Sequence, residues 1–504
     1  MSNGREIENR DIGALTDKLF ALPRIQLLSV LLLFSAMVFP KLGNNGMAVW
    51  DDGYYAQKAK EILTNGNLLT MHYNSRPTFD NPPMFMWLQA LSYRVWGITE
   101  YAAKFPSAIF GTLAILLTYL LGSEMRDKNY GLLAALVLSL SQPFIRYSRR
   151  GMIDVTLAFF VLLALYFSWM GSKGNKKWFY LWAASCGISV LLKSVLGVFP
   201  IVIVILWLII NKRYDVLSSG EFIISLLLAV FCFGWWYLYE IIRWGKPFLD
   251  LHFGWLIWTR GFIRQEDSGH WWEHLSYLKD LLKYYWPWLP LAVWGGAAGF
   301  RHISNADEKK HFSLLLVWII SYILVLSLLE ARRVWYIMPV FPGLAFLAAS
   351  SIQSWIKGID PYPRIAKYVF LLFMLVLMTI SYTPLRIDKA RSEEVRLVSP
   401  YVRYYSNNGA RLLAYKLDYY GLNNALLFYS DRGADICRDQ EVLRQMASQQ
   451  PTATCLVESK DYQEWSNDIK AMFKLVKRAG PLLYLTTGPM LPDTLQVSSN
   501  TWMK

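Results

Sequence analysis

Four acidic residues stand out by type and setting. Asp51 and Asp52 are adjacent in GMAVWDDGYYAQKAKEILTNGN, just before a helical stretch over about 54–64 that stops at Asn65-Gly66. Asp before a helix is a common N-cap. It is also a carboxylate fixed in place and able to take a proton from an attacking hydroxyl. Asp80 follows in RPTFDNPPMFMW, where Asp80-Asn81-Pro82-Pro83 forms a rigid turn ahead of an apolar helix from Met84. Asp154 ends RYSRRGMID and begins an apolar run, where an acid is costly unless paired or functional. Arg149 or Arg150 is its expected partner.

Cations recur near these acids. Arg146, Arg149 and Arg150 form one cluster, Arg332 and Arg333 in EARRVWY another, and Lys193 sits between two apolar runs. Arg260 and Arg264 are four apart in HFGWLIWTRGFIRQEDSGHWWEH and can share a helix face aimed at an anion. His270 and His274 in that segment bracket Glu273 in the order HWWEH rather than HExxH, a poor match to a zinc motif.

The elements that must hold these residues are membrane spans. The chain has 504 residues, 54% apolar and only 17% charged, with a net charge of +14. Eleven apolar segments can be drawn at about 24–40, 105–122, 129–146, 152–170, 178–192, 195–210, 221–242, 285–300, 312–329, 334–352 and 367–383. A soluble enzyme, a disordered chain and a disulfide scaffold are excluded, and the scattered basic residues give no nucleic-acid patch. One set of connections is short and basic: Arg5, Arg10, Lys18 and Arg24; Arg126 and Lys128; GSKGNKK at 171–177; Lys212 and Arg213; Arg301, Lys309 and Lys310; Lys357, Arg364 and Lys367. That side is expected to be cytoplasmic, with the N-terminus inside and the C-terminus outside. The first apolar run lacks a cleavage site and reads as a retained span.

The other side carries loops at about 41–104 and 243–284, and the tail from 384. Residues 384–504 hold 16 Lys/Arg and 13 Asp/Glu, the composition of a soluble domain. In it LLAYKL, ALLFYS and TCLVES are expected as strands and 461–478 as a helix, giving a small α/β domain outside the membrane. Cys437 and Cys455 lie there, where a disulfide is chemically allowed; Cys186 and Cys232 lie in spans. The acids and the unexplained cations thus share the outer side, where topology does not ask for positive charge.

The order WDDGYY, FDNPP, RYSRRGMIDVT, LKSVLGVFP and RRVWYIMPVFPGLAFL resembles the polyprenyl-phosphate-sugar glycosyltransferases of the GT-C fold, among them the lipid A aminoarabinose transferases and protein O-mannosyltransferases. The resemblance covers about 40–350. It implies a polytopic α-helical protein of about 11–13 spans: a transmembrane domain over 1–383, whose loop 41–104 is catalytic, and a soluble domain over 384–504. It implies inverting transfer of a sugar from a polyprenyl phosphate in the bilayer to a hydroxyl of a lipid, glycan or protein. By position in the motifs, Asp51 falls on the base, with Asp52 beside it, and Asp154 on the second acid. Lys193 and Tyr336 fall on donor-phosphate positions, with Arg149, Arg150, Arg260, Arg264, Arg332 and Arg333 as further cations. Tyr54, Tyr55, Asp80 and Asn81 are expected to position the loop. Two departures from the lipid A pattern remove positive charge: Tyr54 replaces an Arg, and Asp80-Asn81 replaces Glu-Lys. Arg76, Arg149 or Arg150 could substitute, or a divalent metal held by Asp51, Asp52 or Asp80; no other cofactor is implied. A flippase of lipid-linked sugars and a non-catalytic lipid-binding protein are the alternatives.

Overall fold

The computed structural model describes residues 23–40, 42–44, 46–47, 51–263, 275–286, 288–301, 306–357, 393–405, 411–417 and 422–490. Among them, six helices are long and apolar enough to cross a membrane: Glu100–Met125, Ile153–Ser172, Trp178–Ile210, Gly220–Trp244, Asp307–Leu328 and Val334–Trp355. Shorter helices at Pro23–Val38, Lys128–Ser139, Gln142–Ser148 and Trp288–Arg301 pack among them. Every span drawn from the sequence falls on one of these helices except 367–383, which lies outside the described residues. Capping sets several starts: the Thr99 hydroxyl accepts from the Ala102 amide, and the Asp127 carboxylate from that of Tyr130. Helix Gly220–Trp244 keeps Ile223, Leu227, Phe231, Leu238 and Ile242 exposed along one side, as a lipid-facing stripe does.

The span pair 178–192 and 195–210 is a helical hairpin. Lys193 (φ −148°, ψ 47°) and Ser194 (φ 40°, ψ −121°) leave helical geometry. The chain doubles back there, because Lys176 ahead of the first arm bonds the Asp215 carbonyl beyond the second, and Arg213 reaches the Ser172 carbonyl. Gly197 permits the reversal: a Cβ there would stand 2.1 Å from the Ser189 carbonyl oxygen.

The basic connections expected on the inner side meet at one end of the bundle. There Lys173 pairs with Glu124, Arg213 with Asp215, and Arg126 with the Gln353 side chain. At the other end lie the helices of the first long loop, Asp51–Asn65 and Met84–Trp96, joined by a hairpin of β1 (His72–Tyr73) and β2 (Arg76–Pro77). Asn74 and Ser75 at its tip both take positive φ, the geometry of a type I′ turn. The Glu61 carboxylate accepts from both of their amides and ties the turn to the first helix. The 243–284 segment, expected as a loop, is largely helical: Lys246–Phe248, a π-helical stretch Leu249–Thr259, Arg260–Phe262 and Ser276–Tyr284. Its exposed aromatic and aliphatic residues gain from a membrane interface as helix just as they would as loop.

Residues 393–490 form a five-stranded sheet with flanking helices. The strands are β3 (Leu412–Tyr415), β4 (Ala434–Cys437), β5 (Thr454–Glu458), β6 (Lys474–Ala479) and β7 (Leu482–Thr486), in the order β4-β3-β5-β7-β6. β3 runs parallel to β4 and β5, and β7 antiparallel to β5 and β6. Two expectations fail here. ALLFYS belongs to helix Leu422–Ser430, because it packs lengthwise on helix Asp51–Asn65 and buries Ala425, Leu426 and Tyr429. The 461–478 stretch ends in strand β6 instead of remaining helical. Cys437 and Cys455 lie on β4 and β5 with β3 between them and are both free; two strand spacings exceed the reach of a disulfide.

This sheet unit is seated on the first loop's helix. Lys60 donates to the Phe428 carbonyl at 2.9 Å and pairs with Asp431, which also binds Arg403. Asn74 exchanges hydrogen bonds with the backbone of Ala434, at 2.7 and 3.1 Å. The approach is closest at Gly53, where a Cβ would stand 3.0 Å from the backbone of Asn424 and Ala425. Gly53→Ala is therefore expected to destabilise the protein by roughly 1–3 kcal/mol through overpacking, despite alanine's better helix propensity. Gly220→Ala, where a Cβ meets nothing, should not. Thermal unfolding of the two variants checks this, and equal midpoints would refute it.

Candidate active site

Asp51 and Asp52 are the first two residues of their helix, and they diverge. Asp52 is buried against the bundle, its Oδ1 3.1 Å from where a Cβ of Gly151 would stand. Asp51 is half-buried at the helix N-terminus, and no described side chain hydrogen-bonds to it. Burial pushes its pKa up to about 6; Asp154 and Asp80 push the same way, while Lys193 and Arg260 oppose them. Those four charged residues, from four separate elements, are its electrostatic surroundings.

Asp154, in the first turn of helix Ile153–Ser172, is buried and ion-paired with Lys193 at the tip of the helical hairpin. Its partner thus comes from 39 residues away, and not from Arg149 or Arg150. Arg149 instead donates to the Met37 carbonyl at 2.8 Å at the end of helix Pro23–Val38, and Arg150 lies over the Tyr147 ring. Lys193 Nζ stands 4.2 Å from the centre of the Tyr336 ring, a cation–π contact. Tyr336 belongs to the 3₁₀ turn Val334–Val340. The Arg332 side chain turns back to the Leu329 carbonyl and Glu330, and the Arg333 amide donates to the Tyr277 hydroxyl. Arg260 lies over Trp255. Arg264, His270 and His274 lie outside the described residues.

Tyr54 and Tyr55 extend the same helix. The Tyr54 hydroxyl is 3.4 Å from Thr78 Oγ1, and its ring packs on Tyr73 at 4.5 Å. Tyr55 is buried against Phe85; burial, then Asp51 and Asp154, hold its phenol protonated well above the ordinary range.

The sequence did not single out Lys58. Its ammonium, fully buried, contacts Asp80 at 2.5 Å and Asn81 Oδ1 at 3.3 Å, and lies 4.1 Å from the Tyr54 ring centre. Burial alone would raise the Asp80 carboxyl; Lys58, with the Thr78 hydroxyl, outweighs it and holds the pKa below the ordinary value. The missing charge at the Asp80-Asn81-Pro82-Pro83 turn is thus supplied from the neighbouring helix. Arg76, considered for that part, is exposed on β2. The signal was present in the spacing, since Lys58 follows Tyr54 by four and Asp51 by seven, on one helix face.

The set Asp51, Asp52 and Asp80 does not fit a metal ion. Asp80 is neutralised by Lys58, and Asp52 is packed away against Gly151. Among the described residues, no group of three His, Cys, Asp or Glu side chains is placed to hold one.

Over nearly its whole length the chain superposes on ArnT from Cupriavidus metallidurans bound to undecaprenyl phosphate. The TM-score is 0.73 at 16% identity, over 93% of this chain and 99% of that one. This chain has the GT-C fold. The Archaeoglobus fulgidus oligosaccharyltransferase in its apo form gives a TM-score of 0.52 at 14% identity, over 86% of this chain and 70% of that one. Residues 80–237 match the family model described as dolichyl-phosphate-mannose-protein mannosyltransferase. By sequence, an uncharacterized protein of Aquifex aeolicus is 28% identical over 70% of this chain and 68% of its own length. The undecaprenyl phosphate-alpha-4-amino-4-deoxy-L-arabinose arabinosyl transferase 2 of Pseudomonas fluorescens is 26% identical over 67% of this chain, which spans 60% of that relative. The expected resemblance and the expected polytopic helical architecture with a C-terminal sheet both hold. The protein is a multi-pass membrane protein.

Within this candidate site, Lys58 and Asp80 form a buried pair whose halves depend on each other. Lys58→Met strands a buried carboxylate and is expected to cost roughly 3–5 kcal/mol of stability. Adding Asp80→Leu should restore much of it. A double variant no more stable than Lys58→Met, by denaturant or thermal melt, would show that the pair is not the reason.

Proposed function

We propose that this protein is an inverting glycosyltransferase that moves a sugar from a polyprenyl phosphate to a hydroxyl of a lipid, glycan or protein acceptor. The observation that carries this is the electrostatic state of Asp51. It is a half-buried carboxylate to which no side chain hydrogen-bonds among the described residues, its pKa pushed up to about 6, facing an acid–lysine pair and an arginine. A base must be ionised at working pH yet still basic enough to accept a proton, and a pKa near 6 meets both demands.

The steps follow from the residues. Asp51 takes the proton of the acceptor hydroxyl as its oxygen attacks the anomeric carbon from the face opposite the phosphate. The bond from that carbon to the phosphate oxygen breaks, and the configuration inverts. The departing phosphate gains negative charge, which Lys193 and Arg260 offset more strongly as the bond breaks than before. Asp154 holds Lys193 by ion pairing, and the Tyr336 ring holds it by its face. Lys58 keeps Asp80 neutralised, so that Asp51 does not face a second uncompensated acid on that side.

The arrangement belongs in an inner membrane, with the basic end of the bundle in the cytoplasm by the positive-inside rule. The site and the C-terminal sheet domain then lie outside, with residues 1–383 as the membrane domain and 384–504 as the soluble one. The donor is a lipid that stays in the bilayer and presents its phosphate at this end. An aminoarabinose donor, which several relatives are named for, is the first to test.

The experiment is transfer by the purified full-length protein from polyprenyl-phosphate sugars, paired with mass spectrometry of the cell envelope with and without it. Asp51→Asn is expected to abolish transfer and to unfold at no lower temperature than wild type. Full turnover by that variant would remove Asp51 from the role of base, and lipid translocation without any glycosyl product would replace the transferase reading by a flippase. Because the base must be deprotonated, kcat/KM of the wild type should fall about tenfold per unit as pH drops below about 6. A profile flat to pH 4.5 would contradict this.

A further inference from the structure

His252, on the π-helical stretch Leu249–Thr259, is fully buried; it opens the stretch HFGWLIWTRGFIRQEDSGHWWEH but has no role assigned above. Its Nδ1 lies 2.6 Å from the Phe79 carbonyl oxygen and its Nε2 3.1 Å from the Ser194 hydroxyl. A carbonyl only accepts, so Nδ1 carries the proton. Burial holds the pKa of the ring below its ordinary value, which keeps the imidazole neutral and makes Nε2 an acceptor. The Ser194 hydroxyl therefore donates to Nε2, and it accepts in turn from the Tyr237 hydroxyl at 3.2 Å. The ring itself is fixed by stacking on Phe248 at 5.2 Å and by the edges of Tyr237 and Phe253.

The two groups that His252 joins are each next to a charge of the site. Phe79 precedes Asp80, the partner of Lys58; Ser194 follows Lys193, the partner of Asp154. Ser194 also holds φ at 40°, where a residue with a Cβ is strained, and such a conformation persists only when its surroundings over-determine it. Two hydrogen bonds on its hydroxyl are that surrounding. A hairpin tip freed of them would relax and carry Lys193 with it.

We propose that His252 is a positioning residue that clamps the tip of the helical hairpin to the Phe79–Asp80 turn, and so sets where Lys193 stands relative to Asp51 and the donor phosphate. The last clause rests on the transferase reading; the clamp itself does not. Asp51 is faced by Asp154, Lys193, Arg260 and Asp80. Of these, Lys193 is the one whose backbone adjoins the clamp through a strained residue, so loosening the clamp removes mainly its pKa-lowering influence on Asp51.

The test uses the full chain in detergent with His252→Ala, His252→Asn, Lys193→Met and the double variant His252→Ala/Lys193→Met. Hydrogen–deuterium exchange reads the clamp without any ligand. His252→Ala should speed exchange of the amides over 189–197, and His252→Asn, whose side-chain N–H can still reach the Phe79 carbonyl, should do so less. Unchanged exchange over 189–197 in His252→Ala overturns the proposal. Binding of undecaprenyl phosphate, by quenching of intrinsic tryptophan fluorescence, reads the consequence. His252→Ala should bind roughly tenfold more weakly, the worth of one charge-assisted contact, and the double variant no more weakly than Lys193→Met alone. Additive losses, or wild-type affinity in His252→Ala, overturn the positioning role. Faster exchange in His252→Ala together with no binding by wild type upholds the clamp and counts against the donor reading. In turnover, the acid limb of His252→Ala should move above about pH 6, which a loss of stability alone would not produce.

Discussion

The site depends on burying positive and negative charge together where the chain turns back on itself. Lys193 and Asp154 come from different helices, and neither is tolerable alone in an apolar bundle. Their pairing fixes the hairpin tip against the start of helix Ile153–Ser172. The tip, once fixed, presents the ammonium to the Tyr336 ring and to Asp51. Moving either charge moves the other and the electrostatic setting of Asp51 with it. Helix hairpins usually turn through short polar loops; here the turn is two residues, Lys193 and Ser194, because the lysine has a partner to bury against and Gly197 leaves room for the return.

A second constraint acts from above. Helix Asp51–Asn65 is amphipathic in an unusual sense, since its buried positions include Asp52, Gln57, Lys58, Lys60 and Glu61. Gln57 donates to Glu61 within the helix, and the others reach different neighbours: Lys58 the Asp80 turn, Glu61 the β1–β2 tip, Lys60 the Phe428 carbonyl and Asp431. A helix with so many buried polar groups cannot be held by hydrophobic contact alone, and it needs the sheet domain to satisfy Lys60. The C-terminal domain is therefore part of what holds Asp51 in place, through Gly53 and helix Leu422–Ser430, quite apart from any contact it makes with an acceptor.

Much of this was legible in the sequence because membrane spans and ordered acidic motifs are local signals. The spans, including the hairpin arms around Lys193, follow from runs of apolar residues, and Asp51, Asp154 and Lys193 stand at their ends. What was not legible is pairing. Arg149 and Arg150 are nearer Asp154 in sequence than Lys193 is, but a helix end at Met37 claims Arg149. Lys58 drew no attention, because nothing local shows that its helix is covered on nearly all sides. ALLFYS has the composition of a strand, and only its contact with Gly53 and its neighbours explains a helix. His252 was overlooked beside the more conspicuous His270 and His274, since its value lies in joining the Phe79 turn, 173 residues before it, to the hairpin tip at Ser194, 58 residues before it.

The charge balance around Asp51 gives the arrangement its logic. Of the three acids Asp51, Asp80 and Asp154, two have a dedicated lysine: Lys58 on Asp80 and Lys193 on Asp154. Had Asp80 been left ionised and unpaired, it would have pushed the Asp51 pKa further up. Had a lysine paired directly with Asp51, its pKa would have fallen below the carboxylate range, leaving it too weak to take a proton. Holding Lys58 on Asp80 and Lys193 on Asp154 leaves Asp51 between these limits. The same engagement keeps Lys193 from pairing with Asp51. A fixed lysine performs this neutralisation without the exchange and hydration of a free ion, which is why the loss of a basic residue at the Asp80-Asn81 turn could be made good from the adjacent helix without altering the fold.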